Sequence, residues 1–287
     1  MRTKLLAAFA ALATVCGLAI GAAPAQASTG GTADDGLHPD VGLIAFYDST
    51  GRYRCSATLV SPTVVITAAH CTLGTLGKTL VTFDEFLDDA PPSFLPTAED
   101  PESGYTGAEL TAAGYIWGTA YTHPQYSDFT DQKNWNDVGE IVLDQPVASH
   151  GDGYPQIAET GTLDTIPQKA LSKTLFTAVG YGTEVRQEGD NMKPEPESYP
   201  ILRRYVDMPG QKLTPQILQT NGNEKDPWGT GGTCFGDSGG PVFYDGELVA
   251  VTSYGYTSNC RYLGGYQRVD IEVVQDWLAT FGVVPAP

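Results

Sequence analysis

Short apolar runs alternate with turn-forming residues along most of the chain. Residues 41–47 are apolar and rich in residue types that favour strands, residues 48–51 have turn composition, and an extended stretch resumes over residues 52–59. Residues 64–67 form a β-branched run, and residues 241–252 indicate two strands around an Asp-Gly turn. The pattern predicts successive β-hairpins.

The final part of the chain changes to a helical spacing. The spaced apolar residues are Ile271, Val274, Trp277, Leu278 and Phe281. Residues three, four and seven positions apart lie on one face of an α-helix. The spacing therefore predicts a C-terminal helix whose apolar face packs on the strands.

Residues 78–122 interrupt the strand pattern with prolines and carboxylates. The prolines, which break regular elements, are Pro91, Pro92, Pro96 and Pro101. The acidic residues are Asp84, Glu85, Asp88, Asp89, Glu99, Asp100 and Glu102. We predict an elaborated, solvated surface loop. A calcium site built from carboxylate oxygens is the alternative, although the spacing matches no EF-hand loop.

Composition and charge narrow the class of protein. The chain has 287 residues, of which 41% are hydrophobic and 17% are charged, and its net charge is −18. A chain of this length can bury a substantial core. The negative charge argues against nucleic acids and anionic membrane surfaces as binding partners. We therefore predict a folded, soluble protein with neither kind of partner.

The start of the chain has the composition of a secretory signal peptide. Two positive residues are followed by an apolar run over residues 5–20 and by an A-x-A cleavage sequence at residues 25–27. A transmembrane helix needs about 20 apolar residues, and this run is shorter. We expect secretion into the extracellular medium, with residues 1–27 removed and residues 28–287 forming the mature protein.

Four cysteines remain in the predicted mature chain, because Cys16 belongs to the removed segment. They are Cys55, Cys71, Cys234 and Cys260. An even number of cysteines in an exported protein predicts two disulfides, for which three pairings are possible. Zinc binding is the competing interpretation, but no pair has the C-x-x-C spacing of zinc sites, so we expect no metal.

Residues 233–241 have the composition of a nucleophile segment. Ser238 lies in the run Gly-Asp-Ser-Gly-Gly-Pro at residues 236–241. A serine hydroxyl needs a base to remove its proton and N–H donors to stabilise the oxyanion that forms. Glycines let the backbone approach a substrate carbonyl, so the N–H groups of Gly236 and Ser238 are the candidate donors. A glycine-rich surface turn that happens to contain a serine is the simpler alternative.

The run at residues 236–241 resembles the nucleophile segment of the chymotrypsin/trypsin-like serine peptidases, and the resemblance extends over most of the chain after residue 27. It implies an all-β, chymotrypsin-like fold of two six-stranded antiparallel β-barrels with a C-terminal α-helix. The barrels would comprise residues 28–160 and residues 161–287 to within a few residues, with the active site in the cleft between them.

The same resemblance implies a Ser-His-Asp triad. His70 follows the β-branched residues 64–67 and precedes a cysteine, and Asp137 leads directly into the apolar residues 141–143. His70 would be the general base for Ser238, and Asp137 would orient its imidazole. The family's pattern also selects two disulfides, Cys55–Cys71 and Cys234–Cys260.

Asp137 has two rivals as the orienting carboxylate, Asp128 and Asp131. Both lie in a polar stretch that no strand follows, which predicts that they are exposed. A carboxylate that orients a histidine works best when it is buried and hydrogen-bonded. We therefore expect Asp137 to fill this role.

The resemblance also implies a substrate pocket. Gly232 would form its floor, Thr233 would lie beside the floor, Gly255 and Gly264 would form the walls, and Ser253 would belong to the segment along the substrate backbone. Trypsin-type members carry an aspartate at the floor position. Because this chain has glycine there, we expect an uncharged apolar or aromatic P1 side chain.

Many members of the family bury a new N-terminal amine against the aspartate that precedes the nucleophile. Signal cleavage here would expose Ser28, and we hypothesise that its amine pairs with Asp237. The alternatives are an internal partner for Asp237 or further trimming beyond residue 27.

Two other classes of function compete. An α/β-hydrolase also uses Gly-x-Ser-x-Gly, but its histidine follows the serine, whereas all four histidines here precede Ser238. A catalytically inactive, protease-like binding module usually lacks a triad residue, and this chain supplies all three. We predict a secreted, monomeric serine endopeptidase with no cofactor that forms an acyl-enzyme. Its partners would be protein or peptide substrates and, potentially, protein inhibitors.

Overall fold

The computed structural model of the chain describes residues 31–183, 185–186, 195–196, 200–222, 231–258, 260 and 263–285. The strands of the first half are β1 (Thr32–Ala33), β2 (Val41–Asp48), β3 (Gly51–Ser61), β4 (Val64–Thr67), β5 (Leu76–Thr82), β6 (Phe86–Leu87), β7 (Ile116–Thr122) and β8 (Gly139–Leu143). Those of the second half are β9 (Leu175–Gly180), β10 (Val185–Arg186), β11 (Glu195–Pro196), β12 (Ile201–Leu202), β13 (Arg204–Leu213), β14 (Ile217–Asn221), β15 (Pro241–Tyr244), β16 (Glu247–Gly255) and β17 (Leu263–Arg268). The α-helices are α1 (Gly107–Ala112), α2 (Gln168–Leu171) and α3 (Glu272–Ala279), and 3₁₀ turns occupy Ala69–Cys71 and Thr162–Thr165.

Six strands of the first half close into an antiparallel barrel in the order β2-β3-β4-β8-β7-β5. Ile44, Leu59, Val81 and Ile141 are fully buried and fill its interior, as the apolar runs of the sequence predict. Strands β4 and β8 are neighbours, with Thr67 opposite Gly139. This pairing brings together the two chain segments that carry His70 and Asp137.

Six strands of the second half form the other barrel in the order β13-β14-β17-β16-β15-β9, and β9 closes it by pairing with β13. Phe176, Met208, Leu218 and Tyr266 are fully buried in its core. The fold class predicted from the sequence is therefore confirmed. Strand β1 crosses from the N-terminus and pairs with β13 of this barrel.

The prediction of a C-terminal helix is also confirmed. Helix α3 buries Val274 and Leu278 against Ile66 and Val138 of the first barrel and Val251 of the second. The helix thus contacts both barrels through one apolar cluster. Within the described residues, no helix has the length and apolar character needed to cross a membrane.

The prediction that residues 78–122 form only a solvated loop is wrong. The segment begins within β5, ends with β7, and contains β6 and α1 between them. Leu87, Tyr105 and Leu110 are buried against the outside of the first barrel, so apolar residues spaced between the carboxylates anchor the insertion. Helix α1 is preceded by Thr106, the first residue of a Thr-x-x-Glu capping-box sequence. The Thr106 hydroxyl caps the helix by accepting the Glu109 N–H, and it donates to the Glu109 carboxylate.

The calcium alternative for the same segment finds no support. Among the described residues, which include all of residues 78–122, the one group of three clustered metal-ligating side chains consists of Cys55, His70 and Cys71. The two sulfurs of that cluster form a disulfide with each other and cannot act as thiolate ligands.

Candidate active site

His70 and Asp137 meet at the edge of the first barrel. His70 lies in the 3₁₀ turn after β4, and the Cys55–Cys71 disulfide ties that turn to β3. Asp137 lies two residues before β8 and is completely buried. Its Oδ1 accepts the His70 backbone N–H at 2.9 Å, and its Oδ2 lies 2.9 Å from His70 Nδ1. Two contacts therefore fix both the backbone and the ring of the histidine.

The rival carboxylates lie elsewhere. Asp131 is exposed and accepts the N–H of Lys133 and a side-chain hydrogen bond from Asn134. These local hydrogen bonds lower the pKa of Asp131, beginning with that of Asn134. Neither Asp131 nor Asp128 has a hydrogen bond to His70 among the described contacts, so the geometry favours Asp137.

Asp137 has further partners that the sequence analysis missed. The Ser253 hydroxyl donates to Asp137 Oδ2 at 2.6 Å, and the indole Nε1 of Trp135 donates to the Ser253 oxygen at 2.9 Å. The Asp137 N–H donates to Gln267 Oε1 at 3.0 Å. Ser253 was predicted to lie along the substrate backbone, and its hydroxyl also contacts the Asp137 carboxylate.

The nucleophile segment is a tight turn that the protein holds from both sides. Gly239 has φ +75°, and a Cβ there would collide with Thr67 Oγ1 and lie 2.6 Å from the Ala68 nitrogen. The Ser238 carbonyl accepts the Ser56 N–H at 2.8 Å. Glycine at position 239 thus allows the Ser238 turn to lie directly against the segment that leads to His70.

Asp237 anchors the same turn from inside the second barrel. It is 1% exposed, and its two oxygens accept the backbone N–H groups of Gly182 and Cys234, each at 2.8 Å. The Cys234–Cys260 disulfide, which the resemblance selected, is present. Ser28, the hypothesised partner of Asp237, lies outside the described residues, as does the predicted signal peptide.

The turn leaves two N–H groups unused. Gly236 has φ +98°, and its carbonyl accepts the Ser56 hydroxyl at 2.8 Å. Among the described residues, the N–H groups of Gly236 and Ser238 have no acceptor. Ser238 is partly exposed beside them. An oxyanion formed at the Ser238 hydroxyl could therefore receive two backbone hydrogen bonds.

The side chains of His70 and Ser238 are not hydrogen-bonded to each other in this structure. The described hydrogen bonds of His70 are both to Asp137. Catalytic hydrogen bonds are often long in ligand-free structures and shorten when substrate binds. In the structure His70 therefore contacts Asp137, and the Ser238 turn packs against the segment that leads to His70. The hydrogen bond between the His70 and Ser238 side chains is not formed.

A cavity of about 370 Å³ opens beside Ser238. Of the predicted pocket residues, Thr233, Ser253, Gly255 and Gly264 line it. Gly232 lies behind the wall, where a Cβ would come within 2.7 Å of Gly222. No carboxylate lines the cavity among the residues that the structure describes.

An aromatic strip, composed of Phe129, Trp135, Tyr254 and Tyr256, runs from His70 to this cavity. Successive ring centroids are 5.2, 5.2 and 5.5 Å apart, and Phe129 lies 5.5 Å from the His70 ring. Burial raises the pKa of the Tyr254 hydroxyl from 10 to about 12. No local sequence pattern reveals this strip, because its members come from two distant segments.

Phe129 is presented on a strained turn. Asp128 and Phe129 have φ values of 49° and 60°, a left-handed conformation that non-glycine residues seldom adopt. Phe129 is nevertheless 41% exposed, so core packing is not what holds it beside the histidine.

Comparisons with known proteins agree with this geometry. Residues 32–278 match the family described as Trypsin. The chain is 29% identical to brachyurin from Leptuca pugilator over 250 residues, which cover 81% of this chain and 90% of that protein. It is 25% identical to serine protease Hayan from Drosophila melanogaster over 261 residues, which cover 82% of this chain but only 36% of that protein.

Among solved structures, one of HL collagenase superposes with a TM-score of 0.58 at 15% identity. The superposition covers 92% of this chain and 99% of that one. At this identity the likeness concerns the fold alone.

Proposed function

Because the chain belongs to the trypsin family of serine proteases, we propose that it is an active serine endopeptidase with His70, Asp137 and Ser238 as its triad. The observation that carries the proposal is that the Asp137–His70 pair and the Ser238 turn lie next to each other. A buried Asp137 holds His70 by two contacts, and the adjacent Ser238 turn has two N–H groups without acceptors among the described residues.

The chemistry follows from these positions. As Ser238 Oγ attacks the peptide carbonyl carbon, His70 Nε2 removes the hydroxyl proton and Asp137 stabilises the resulting imidazolium. The N–H groups of Gly236 and Ser238 stabilise the oxyanion. The intermediate expels the amine, which takes the proton from His70, and leaves an acyl-enzyme. Water then attacks the ester by the same route and restores Ser238.

We further propose that the cavity beside Ser238 accepts an uncharged apolar or aromatic P1 side chain. The absence of a carboxylate among its described lining residues supports this specificity. A lysine or arginine there would be left without a partner, which costs several kcal/mol. A peptide panel in which arginine or lysine is strongly preferred would contradict it.

Secretion is part of the proposal. N-terminal sequencing of the exported protein tests cleavage after residue 27. The activity of a form with one residue added ahead of Ser28 tests the hypothesised pairing with Asp237. Full activity of the extended form would contradict that pairing and favour the buried N–H groups of Gly182 and Cys234 as sufficient partners.

Labelling with a fluorophosphonate probe tests the activity itself. We expect the probe to modify Ser238, the Ser238→Ala variant to remain unlabelled, and a mixed peptide library to be cut by the wild type only. A folded wild type that neither reacts with the probe nor cuts peptides would contradict the proposal and favour an inactive binding module.

A further inference from the structure

Trp135 ends a chain of hydrogen bonds that leads to the histidine. Its indole Nε1 donates to Ser253 Oγ at 2.9 Å, Ser253 Oγ donates to Asp137 Oδ2 at 2.6 Å, and the same oxygen lies 2.9 Å from His70 Nδ1. Trp135 is 8% exposed, Ser253 4% and Asp137 0%. Bulk water therefore has little access to this chain.

We propose that Trp135 is a positioning residue of the triad, whose indole N–H fixes the Ser253 hydroxyl with its proton directed at Asp137. This inference rests on the proposed function. A serine hydroxyl has one proton and rotates freely, and it can donate or accept. An indole N–H can only donate. With Trp135 on one side of the oxygen and a carboxylate on the other, only one orientation satisfies both contacts.

The fixed orientation matters because Asp137 Oδ2 serves two donors. If the hydroxyl rotated, a Ser253 lone pair would face the carboxylate, and the contact at 2.6 Å would become repulsive. Asp137 could then relieve the repulsion only by moving relative to His70. The indole thus acts on the histidine through two intervening groups.

The surroundings hold the indole itself in place. Its ring contacts Phe129 and Tyr254, each with centroids 5.2 Å apart. The next residue, Asn136, donates its N–H to Gln216 Oε1 at 3.2 Å, which ties the loop to the second barrel. Trp135 is therefore fixed by its contacts with these two rings and by its neighbour's backbone.

The test measures the rate of inactivation by a fluorophosphonate between pH 5 and pH 9 for wild type, Trp135→Phe, Ser253→Ala and the double variant. Trp277→Phe is the matched control, because Trp277 packs against His123 and Phe281 and its indole has no hydrogen bond among the described residues. If Trp135→Phe does not fold, benzothienylalanine at position 135 keeps the indole shape and replaces only the N–H by sulfur.

We expect the plateau rate of Trp135→Phe to fall by about three- to tenfold, the effect of one lost hydrogen bond in such a network. The midpoint of the acid limb should move to higher pH, because the Ser253 proton is no longer held towards Asp137 and the less neutralised carboxylate then stabilises protonated His70 more strongly. In the Ser253→Ala background, Trp135→Phe should change neither quantity. Trp277→Phe should match the wild type.

Two results would overturn the inference. One is a Trp135→Phe profile that superposes on that of Trp277→Phe. The other is an equal effect of Trp135→Phe with and without Ser253, which would mean that the indole acts by packing alone. Failure of the proposed function looks different, since the wild type itself would then not be labelled at Ser238.

Discussion

The two halves of the candidate site differ in how fully the protein satisfies their polar groups. In the base half, the Asp137 carboxylate accepts the His70 N–H and the Ser253 hydroxyl and lies against His70 Nδ1, and its N–H donates to Gln267. In the nucleophile half, the N–H groups of Gly236 and Ser238 have no acceptor among the described residues. Under the proposed mechanism, the protein itself supplies the hydrogen bonds that would orient His70, whereas the two N–H groups that would stabilise the oxyanion are left for the substrate.

Breaking the base half should have the largest effect. Asp137→Asn keeps the shape but replaces a carboxylate oxygen by an amide that can hold the imidazole in the wrong tautomer, so kcat should fall about 10⁴-fold. Hydrolysis of a saturating peptide substrate measures it. Asp131→Asn, in the same loop but exposed, is the control and should leave kcat unchanged. A loss of less than tenfold in Asp137→Asn would remove Asp137 from the triad.

A substitution that displaces the Ser238 turn should have the next largest effect on activity. In Gly239→Ala the new Cβ collides with Thr67 and Ala68, so the turn must move away from the His70 segment and kcat/KM should fall at least about 100-fold. Gly246→Ala is the control, because Gly246 has a similar φ of +84° but open space around it. Equal losses in the two variants would show that backbone strain, and not the close approach, is the cause.

The third prediction compares Asp137 with Glu140, a nearby buried carboxyl group that has no hydrogen-bond partner among the described residues. Glu140 is fully buried three residues after Asp137, and neither of its oxygens has a hydrogen bond to any residue that the structure describes. Burial raises its pKa from 4.5 to about 9. The folded state therefore keeps a proton that the unfolded state releases, so the stability of the wild type falls as pH rises from 4.5 towards 9.

Glu140→Met removes this penalty. Its gain in free energy of unfolding should be small at pH 4 and should grow by about 1.4 kcal/mol for each pH unit across that window. Urea unfolding at several pH values measures the gain. Glu159→Met, at an exposed position, is the control and should show no such growth. A gain for Glu140→Met that is independent of pH would mean that Glu140 is ionised in the folded state.

The smallest expected effect concerns the surface next to the base half. Phe129→Ala removes an exposed ring beside His70, and KM should rise about three- to tenfold for peptides with an apolar residue before P1, with kcat little changed. Phe86→Ala, at an exposed ring in β6, is the control. An equal rise in KM for peptides with glycine before P1 would mean that Phe129 acts on the histidine and not on the substrate.

Local patterns and motifs in the sequence were enough to predict the positions of His70 and Asp137 and the two-barrel fold. The β-branched run that ends at His70 and the strand that follows Asp137 gave the two residues their places in the barrel, and the two barrels followed from the family's pattern. The buried side of residues 78–122 was missed because prolines and carboxylates obscured three spaced apolar residues. The capping box at Thr106 was a local signal that could have revealed helix α1.

The environment of Asp137 could not be predicted in the same way. Ser253 lies 116 residues from Asp137 and 118 from Trp135, and each contact depends on how the barrels dock. Local periodicity records which face of a strand is buried, but not which hydroxyl meets which carboxylate across an interface. The same holds for Phe129, whose left-handed turn contains no glycine to signal it.

The crossing of β1 to the second barrel bears on the order in which the chain can assemble. Thr32 and Ala33 pair with Tyr205 and Arg204, and the buried Asp34 lies 2.8 Å from the Arg203 guanidinium. Because synthesis starts at the N-terminus, β1 can pair with β13 only after more than half of the chain has been made. Until then Asp34 can contact His38, whose Nδ1 lies beside its Oδ1, but it lacks Arg203, so this N-terminal segment is among the last parts of the fold to reach its final position.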